Sequence, residues 1–528
     1  MVIDPRSYRW SNASFARPRF RDLVIYGLHV GTFTPSGTFR GVVERLQYLT
    51  DLGVNTIELM PIAEFAGVRN WGYDGVALYA PAHVYGTPDD LRTLVDAAHQ
   101  AGIAVILDVV YNHFGPVGNY LASFIGDYLD EETRTPWGGA IKYGRLEFRP
   151  LREFVIDNAA YWMDEFRIDG FRFDATHAIA DDSPRHLLAE LTEMVHSRGG
   201  YAIAEDARNE ANLMSSTSCG GLGFDALWAD DFHHVVRVSM TGETESYLGD
   251  FAGSVAELVK TLNQGWLYCG QYSPFLGVPR GTSPKELGPG SFIHCISNHD
   301  QVGNRAFGER LSDSTTIDSY LAASALVCLS PHIPLLFMGQ EWAASTPFLF
   351  FTDHNEQLGP LVTAGRREEF AAFSEFQSDG AAERIPDPQD PRTFEASRLR
   401  WDEIELLPHS GVLALYRTCL ALRKQHAAFR PSSTSSWWAR EMSSGITAIW
   451  LKSASDEWLL LVDLVGNHHG VLAGLPFVLS STTWRRVLST RDQRFGGDGS
   501  CALTEPFESV HFDRAETLLL QRVEPQPT

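Results

Sequence analysis

A (β/α)8 TIM barrel with loop insertions, followed by a C-terminal antiparallel β-domain, is the fold this sequence predicts, and three observations predict it. Short apolar runs alternate with helical patterns eight times between Leu23 and Arg430. The runs are near-continuous, as in Ile103–Val110, which is how a strand reads when a parallel sheet is covered on both faces. Polar and acidic residues gather after the runs and not before them, on the side where a parallel barrel carries its chemistry.

Each unit can be justified in turn. Leu23–Phe33 is the first strand candidate. Thr38 is placed to cap a helix with Val42, Val43, Leu46 and Leu49 on its apolar face, and Gly53 stops it. Val54–Met60 is the second strand. Thr87-Pro88-Asp89-Asp90 is a helix start, with a capping hydroxyl, proline at the first position and acids in the first turn. Leu91, Leu94, Val95 and Ala98 form its buried face, Gly102 ends it, and Ile103–Val110 is the third strand, closing on Tyr111-Asn112-His113. A helix over Leu151–Phe166 leads to the strand at Gly170, and one near Pro184–Ser197 leads to Ala202–Ala204, which ends in Glu205-Asp206. A weaker strand near Ala226–Trp228 ends in Asp230-Asp231. A helix near Val255–Gly265 precedes Phe292–Ser297, which ends in Asn298-His299-Asp300, and a helix within Thr315–Leu329 precedes Pro334–Phe337. Phe114–Arg149 and Gly339–Asp402 read as insertions.

After an amphipathic helix over Gly411–Lys424 the period changes. Short alternating runs such as Ile446–Leu451 and Trp458–Val462, separated by turn residues, predict the β-domain. The division expected is a tail over Met1–Asp22, the barrel over Leu23–Arg430 and the β-domain over Pro431–Thr528.

A net charge of -23 argues against nucleic acid or an anionic membrane as partner, since both need basic patches. The 12% of aromatic residues, with 13 Trp, suits a neutral ligand with apolar faces such as a sugar. Six scattered cysteines without a C-x-x-C pair read as reduced thiols. Met1–Asp22 is polar, with no apolar signal-peptide core, and no run has the roughly 18 apolar residues of a membrane span. A cytoplasmic protein is expected.

The chemistry centres on Asp169-Gly170-Phe171-Arg172-Phe173-Asp174. A buried strand does not carry an inward arginine unless a carboxylate meets it, and Asp174, two residues on, lies on the same face. Taken alone, this is as well explained by a structural ion pair. Four strand ends, however, offer Asp108 with Asn112 and His113, Arg172 with Asp174, Glu205, and His299 with Asp300. Three carboxylates converging on one crevice suit glycoside hydrolysis, which needs a nucleophile and a proton donor about 5–5.5 Å apart when configuration is retained. Arg172 keeps Asp174 ionised, and Glu205, facing other acids, is expected to hold its proton more tightly. For any single acid a helix cap or loop bond is the plainer reading. No H-x-x-x-H or close carboxylate spacing supports a metal, and no G-x-S-x-G or G-x-x-x-x-G-K stands at a strand end. Neither cofactor nor metal is expected.

Asp108–His113 (DVVYNH), Gly170–His177 (GFRFDATH), Ala204–Asp206 (AED) and Ser297–Asp300 (SNHD) resemble, in order and placement, the four signature regions of the alpha-amylase superfamily, glycoside hydrolase family 13. The resemblance covers Leu23 to about Gln425. It implies that Asp174 is the nucleophile, Glu205 the acid/base and Asp300 the transition-state stabiliser. It also implies that His113, His299 and His177 meet the sugar and that Arg172 orients the nucleophile. Leu28–Pro35 (LHVGTFTP), Ile57–Phe65 (IELMPIAEF), Arg69–Gly75 (RNWGYDG), Asp230–His234 (DDFHH) and Asn298–Leu311 (NHDQVGNRAFGERL) resemble the members of that superfamily that release trehalose from malto-oligosyltrehalose. From this likeness Trp71 and Tyr73 are expected to form a stacking platform, although loop anchors on the barrel rim explain them equally well. Asp74, Asp230, Asp231, Gln301 and Asn304 are expected to contact substrate. The superfamily's members of this kind usually carry a β-sandwich ahead of the barrel, so Met1–Asp22 reads as the tail of such a domain, and Gly27 stands where an acid is expected. The alternatives are a glycogen branching enzyme or related transglycosylase and, far behind, a sugar-binding barrel without activity.

Overall fold

The computed structural model describes residues 4–523 apart from 13, 372, 377, 379, 433–434, 443–444, 478–482 and 504–506. Eight strands close into a barrel in chain order: β1 (Ile25–Leu28), β2 (Thr56–Leu59), β3 (Ala104–Val109), β4 (Gly170–Phe173), β5 (Tyr201–Ala204), β6 (Ala226–Trp228), β7 (Phe292–His294) and β8 (Ile333–Phe337), with β8 returning beside β1. The neighbouring pairs with a described register are parallel. β1 to β5 are buried along their whole length, which is why their sequences are apolar on both faces.

The helices follow from their caps. In α1 (Pro88–Gln100) the Thr87 hydroxyl accepts from the Asp90 N–H while Asp90 reaches back to Thr87, a closed capping box with Pro88 at the first position. α2 (Arg149–Phe166) and α3 (Leu187–Ser197) precede β4 and β5. The latter starts three residues beyond the expected Pro184, where the His186 side chain accepts from the Leu188 N–H and Asp181 accepts from the Leu187 N–H. α4 (Asp230–Thr241), α5 (Val255–Gln264), α6 (Ile317–Leu329) and α7 (His409–Gln425) are the longer helices of the later units.

Two elements differ from expectation. The run Leu23–Phe33 is a strand only over β1. Past it the His29 ring bonds the Thr32 hydroxyl and the Asn70 carbonyl, each at 3.0 Å, and Val30–Phe33 closes into one helical turn. The helix expected from Thr38 to Gly53 is two, Phe39–Val43 and Leu46–Leu52, with Thr38 capping the first and Gly53, at φ 105°, ending the second in the left-handed region.

The insertion after β3 carries an antiparallel hairpin, Leu129–Thr135 with Gly138–Ile141. The tail is stitched to the chain ahead of β4. Arg17 bonds Asp169 at 2.7 Å, Phe15 stacks on His99 at 4.1 Å, and the Ser11 and Asn12 N–H groups donate to Asp96. Met1–Ile3 lie outside the described residues.

β9 (Ser436–Met442), β10 (Ile446–Lys452), β11 (Glu457–Asp463), β12 (Trp484–Ser489) and β13 (Glu516–Arg522) form one antiparallel sheet in the order β9-β10-β11-β13-β12. Ile446, Ala448, Leu459, Leu461, Leu518 and Leu520 share its core with Val510 and Phe512. By packing, the chain divides into two compact units. One is Met1–Trp228, His299–Gly308 and Thr346–Leu399; the other is Ala229–Asn298, Glu309–Ser345 and Arg400–Thr528. Among the described residues no helix is long and apolar enough to cross a membrane.

Candidate active site

Arg172 organises the site. It lies in β4 beside Asp108 of β3, because the parallel register sets the two at one level. The guanidinium is fully buried. Its Nη1 donates to both Asp108 oxygens at 2.9 Å and to Asp174 Oδ1 at 2.7 Å. Its Nη2 lies 3.6 Å from Glu205 Oε2 and 3.9 Å from Asp300 Oδ2. One cation therefore reaches all four carboxylates, which proves that the strand ends converge. The Trp228 ring covers it, with the guanidinium carbon 4.4 Å from the centroid. These anions hold the Arg172 pKa well above its ordinary value despite burial.

The carboxylates differ in how they are held. Asp174 is clamped: Arg172 takes one oxygen, and the buried Asn112 amide donates to the other at 2.7 Å and to the Asp174 carbonyl at 2.9 Å. Glu205 accepts from the Ala175 N–H at 2.6 Å. Ala175 sits at φ 41°, a strained left-handed conformation for a residue with a Cβ, and that turn follows Asp174 directly. The Thr176 N–H and hydroxyl bind the Glu205 carbonyl at 3.0 and 3.1 Å, so the ends of β4 and β5 are tied together. Asp300 is the open member, with its side chain 40% exposed against 10% for Asp174 and 16% for Glu205.

A second tier supports them. The Tyr73 hydroxyl donates to Asp108 at 2.7 Å and meets His299 Nε2 at 2.6 Å. Since that hydroxyl proton is spent on Asp108, the His299 proton sits on Nε2, which also faces Asp300 at 3.3 Å. Burial pushes the His299 imidazole down to about 4, with Asp300 opposing, so the ring is neutral at pH 7. Burial pushes Asp108 up to about 7 against the pull of Arg172. Beneath them Glu58 of β2, 4% exposed, is pushed up to about 8 by burial and by Asp108, and its Oε2 has no hydrogen-bond partner among the described residues. Glu58 lies in the run Val54–Met60, whose apolar pattern marks a strand and does not mark a buried acid.

His113 places Nε2 3.0 Å from the Tyr73 carbonyl and Nδ1 against Asn112 Oδ1. Its pKa is lowered, burial outweighing Asp174. Asp74 is bonded by Asn70 at 2.6 Å and faces His354 at 3.5 Å. Asn304 is exposed and donates to Asp300 at 3.1 Å. Gln301 is half-buried and His177 exposed.

Two expected contacts have other tasks. Trp71 is 4% exposed, stacked on Phe348 at 5.1 Å, edge-on to His299 at 5.8 Å, with its Nε1 donating to the Leu349 carbonyl at 2.9 Å. It anchors its loop under the site and offers no open face; Tyr73 alone of that pair borders the crevice. Gly303 lies flat against this indole, where a Cβ would stand 2.1 Å from the ring. Asp231 is fully buried, ion-paired with Arg280 at 2.8 Å and accepting from the Leu267 and Tyr268 N–H groups at 2.7 and 3.1 Å. Its carboxylate is consumed by the chain itself. Asp230, beside it, is half-buried at the first position of α4.

Asp231→Ala is accordingly expected to lower the thermal midpoint by stranding Arg280, a loss of about 3–5 kcal/mol for one half of a buried pair. The ratio of rates on two glucans, measured on folded protein, should stay as it is. A shifted ratio with an unchanged midpoint would contradict this structural role.

The chain also resembles known proteins. The family model "Alpha amylase, catalytic domain" matches residues 2–132. The malto-oligosyltrehalose trehalohydrolase of Deinococcus radiodurans is 46% identical over 430 residues, 80% of this chain and 69% of that one. Its counterpart from Saccharolobus solfataricus is 40% identical over 459 residues, 86% and 78% of the two chains. The crystal structure of a putative alpha amylase from Salmonella typhimurium aligns with TM-score 0.86 and 37% identity over 99% of this chain and 85% of its own. With this identity over this much of both chains, the protein belongs to the malto-oligosyltrehalose trehalohydrolase family of the alpha-amylase superfamily.

Proposed function

We propose that the chain is a retaining glycoside hydrolase that cuts the α-1,4-glucosidic bond next to the terminal trehalose of malto-oligosyltrehalose and releases trehalose. The observation that carries this reading is the shared guanidinium of Arg172, within 4.0 Å of Asp108, Asp174, Glu205 and Asp300. In the proposed reaction an Asp174 oxygen attacks the anomeric carbon as Glu205 gives its proton to the departing trehalose oxygen. Water then enters, Glu205 takes its proton, and the glycosyl–Asp174 bond breaks with the original anomeric configuration restored. The clamp on Asp174 from Arg172 and Asn112 fits a group that must be aimed, and the place of Glu205 at 3.6 Å from the same guanidinium fits one that must exchange a proton beside it. Asp300, open and paired with His299, is suited to grip sugar hydroxyls. Tyr73, Asp74, His113, His177, Asp230, Gln301 and Asn304 are retained as candidate contacts. A cytoplasmic location fits the six scattered thiols.

Product analysis tests the reading. Malto-oligosyltrehalose should yield trehalose as the dominant small product, and amylose should acquire no α-1,6 branches. New branches would hand the chain to the branching enzymes.

A further inference from the structure

We infer that the open face of Trp137 is a stacking platform for a glucosyl ring of the substrate on the maltodextrin side of the cleaved bond. Trp137 stands in the turn of the hairpin Leu129–Thr135/Gly138–Ile141 and is 47% exposed, a large apolar surface left in water where any small polar residue would make the turn. The turn is pinned: the Thr135 hydroxyl donates to the Gly138 carbonyl at 3.1 Å and accepts from the Trp137 N–H at 3.2 Å. The hairpin base is anchored by Ala140 and Ile141, 1% and 2% exposed. One face of the indole is spent. It lies parallel to the His113 ring, centroids 4.7 Å apart and planes 4° from each other. His113 bonds Asn112, and Asn112 bonds Asp174, so the free face of Trp137 is tied by two side chains to the expected nucleophile. A flat, pinned, half-wet aromatic face matches the apolar C–H face of a pyranose.

The side follows from the flanks. Asn304 bonds Asp300 and, on the proposed reaction, faces the trehalose. Trp137 reaches Asp174 from the His113 flank and is left with the glucan chain. This inference rests on that reaction.

The test compares Trp137→Ala and Trp137→Phe with the unaltered protein on two substrates, trehalose bearing one glucosyl unit and trehalose bearing four. Trp137→Ala should lose about tenfold in kcat/KM on the longer substrate, mostly through KM, and stay within about twofold on the shorter. Trp137→Phe should recover most of the loss, and the thermal midpoint should not move. Equal losses on both substrates, or none on the longer, would overturn the inference. Calorimetric titration with maltohexaose in an Asp174→Asn background separates this from the reaction itself. Binding about tenfold weaker without the indole supports the platform even where trehalose is not the product. Equal affinity with and without it, or no binding in either form, overturns it.

Discussion

Asp174→Ala stops turnover, with kcat falling on the order of 10^4-fold or more while the protein stays folded. The fold survives because Arg172 keeps its pair with Asp108, so no buried cation is stranded. The chemistry does not survive, because no other oxygen is clamped where Asp174 is, between Arg172 Nη1 and the Asn112 amide. Azide, small enough for the vacated space, should restore part of the rate and leave a β-glycosyl azide, since it attacks the face that Asp174 attacked and nothing inverts the centre a second time. Glu205→Gln should cost as much on malto-oligosyltrehalose but far less in kcat/KM on a maltosyl fluoride, whose leaving group needs no proton in the first step. That split distinguishes a proton donor from a residue that merely supports the fold. A tenth of the original activity in either variant on the natural substrate would reverse the assignment.

Arg172→Leu carries the second large effect, on stability as well as rate. The arginine is the shared counter-ion of four acids, and Asp108 beside it is fully buried. Removing one half of a buried pair costs about 3–5 kcal/mol because the other charge is left uncompensated. The sign with pH follows. Asp108 already holds its proton up to about pH 7 with Arg172 present, and without the cation it holds it more tightly. A carboxyl whose folded pKa lies above its unfolded value stabilises the fold at low pH and withdraws that help as pH rises through the folded value. The deficit of Arg172→Leu against the unaltered protein should therefore widen as pH rises above about 7, where only the unaltered fold can release the Asp108 proton, and hold level below it, read as the difference in denaturant midpoint. Arg172→Lys restores charge but not the two-pronged reach, so it should recover more stability than activity. A deficit that grows toward acid pH would mean that the arginine is not the counter-ion of these acids.

What the sequence allowed to be read depended on how local each cause was. The barrel strands were legible because burial on both faces leaves continuous apolar runs, and Thr87 announced α1 through its own cap. Arg172 and Asp174 were legible as partners because two residues separate them on one strand. Asp108 as a further partner was not, since it depends on the register of β3 against β4. Trp71 looked the same as Tyr73 in sequence. What buries it is Phe348, delivered from far along the chain, and no local pattern encodes that arrival. Asp231 was misread for the same reason, because its partner Arg280 comes from a separate hairpin. Val30–Phe33 continued an apolar run, yet the bonds of the His29 ring turned it into a helical turn. Trp137 carried no signal, because its meeting with His113 exists only once the hairpin is folded over the end of β3.

The central claim is that this site selects a trehalose leaving group. Trehalose joins two glucoses through their anomeric carbons, so it is bent and lacks a reducing end, and a site built for it fixes hydroxyl partners that a maltose unit leaves unpaired. The most direct measurement is kcat/KM for malto-oligosyltrehalose against the plain maltodextrin of equal length, on one preparation at one pH. The account predicts a preference on the order of 10^2 or more for the trehalose-capped chain, and comparable values on the two substrates would contradict it.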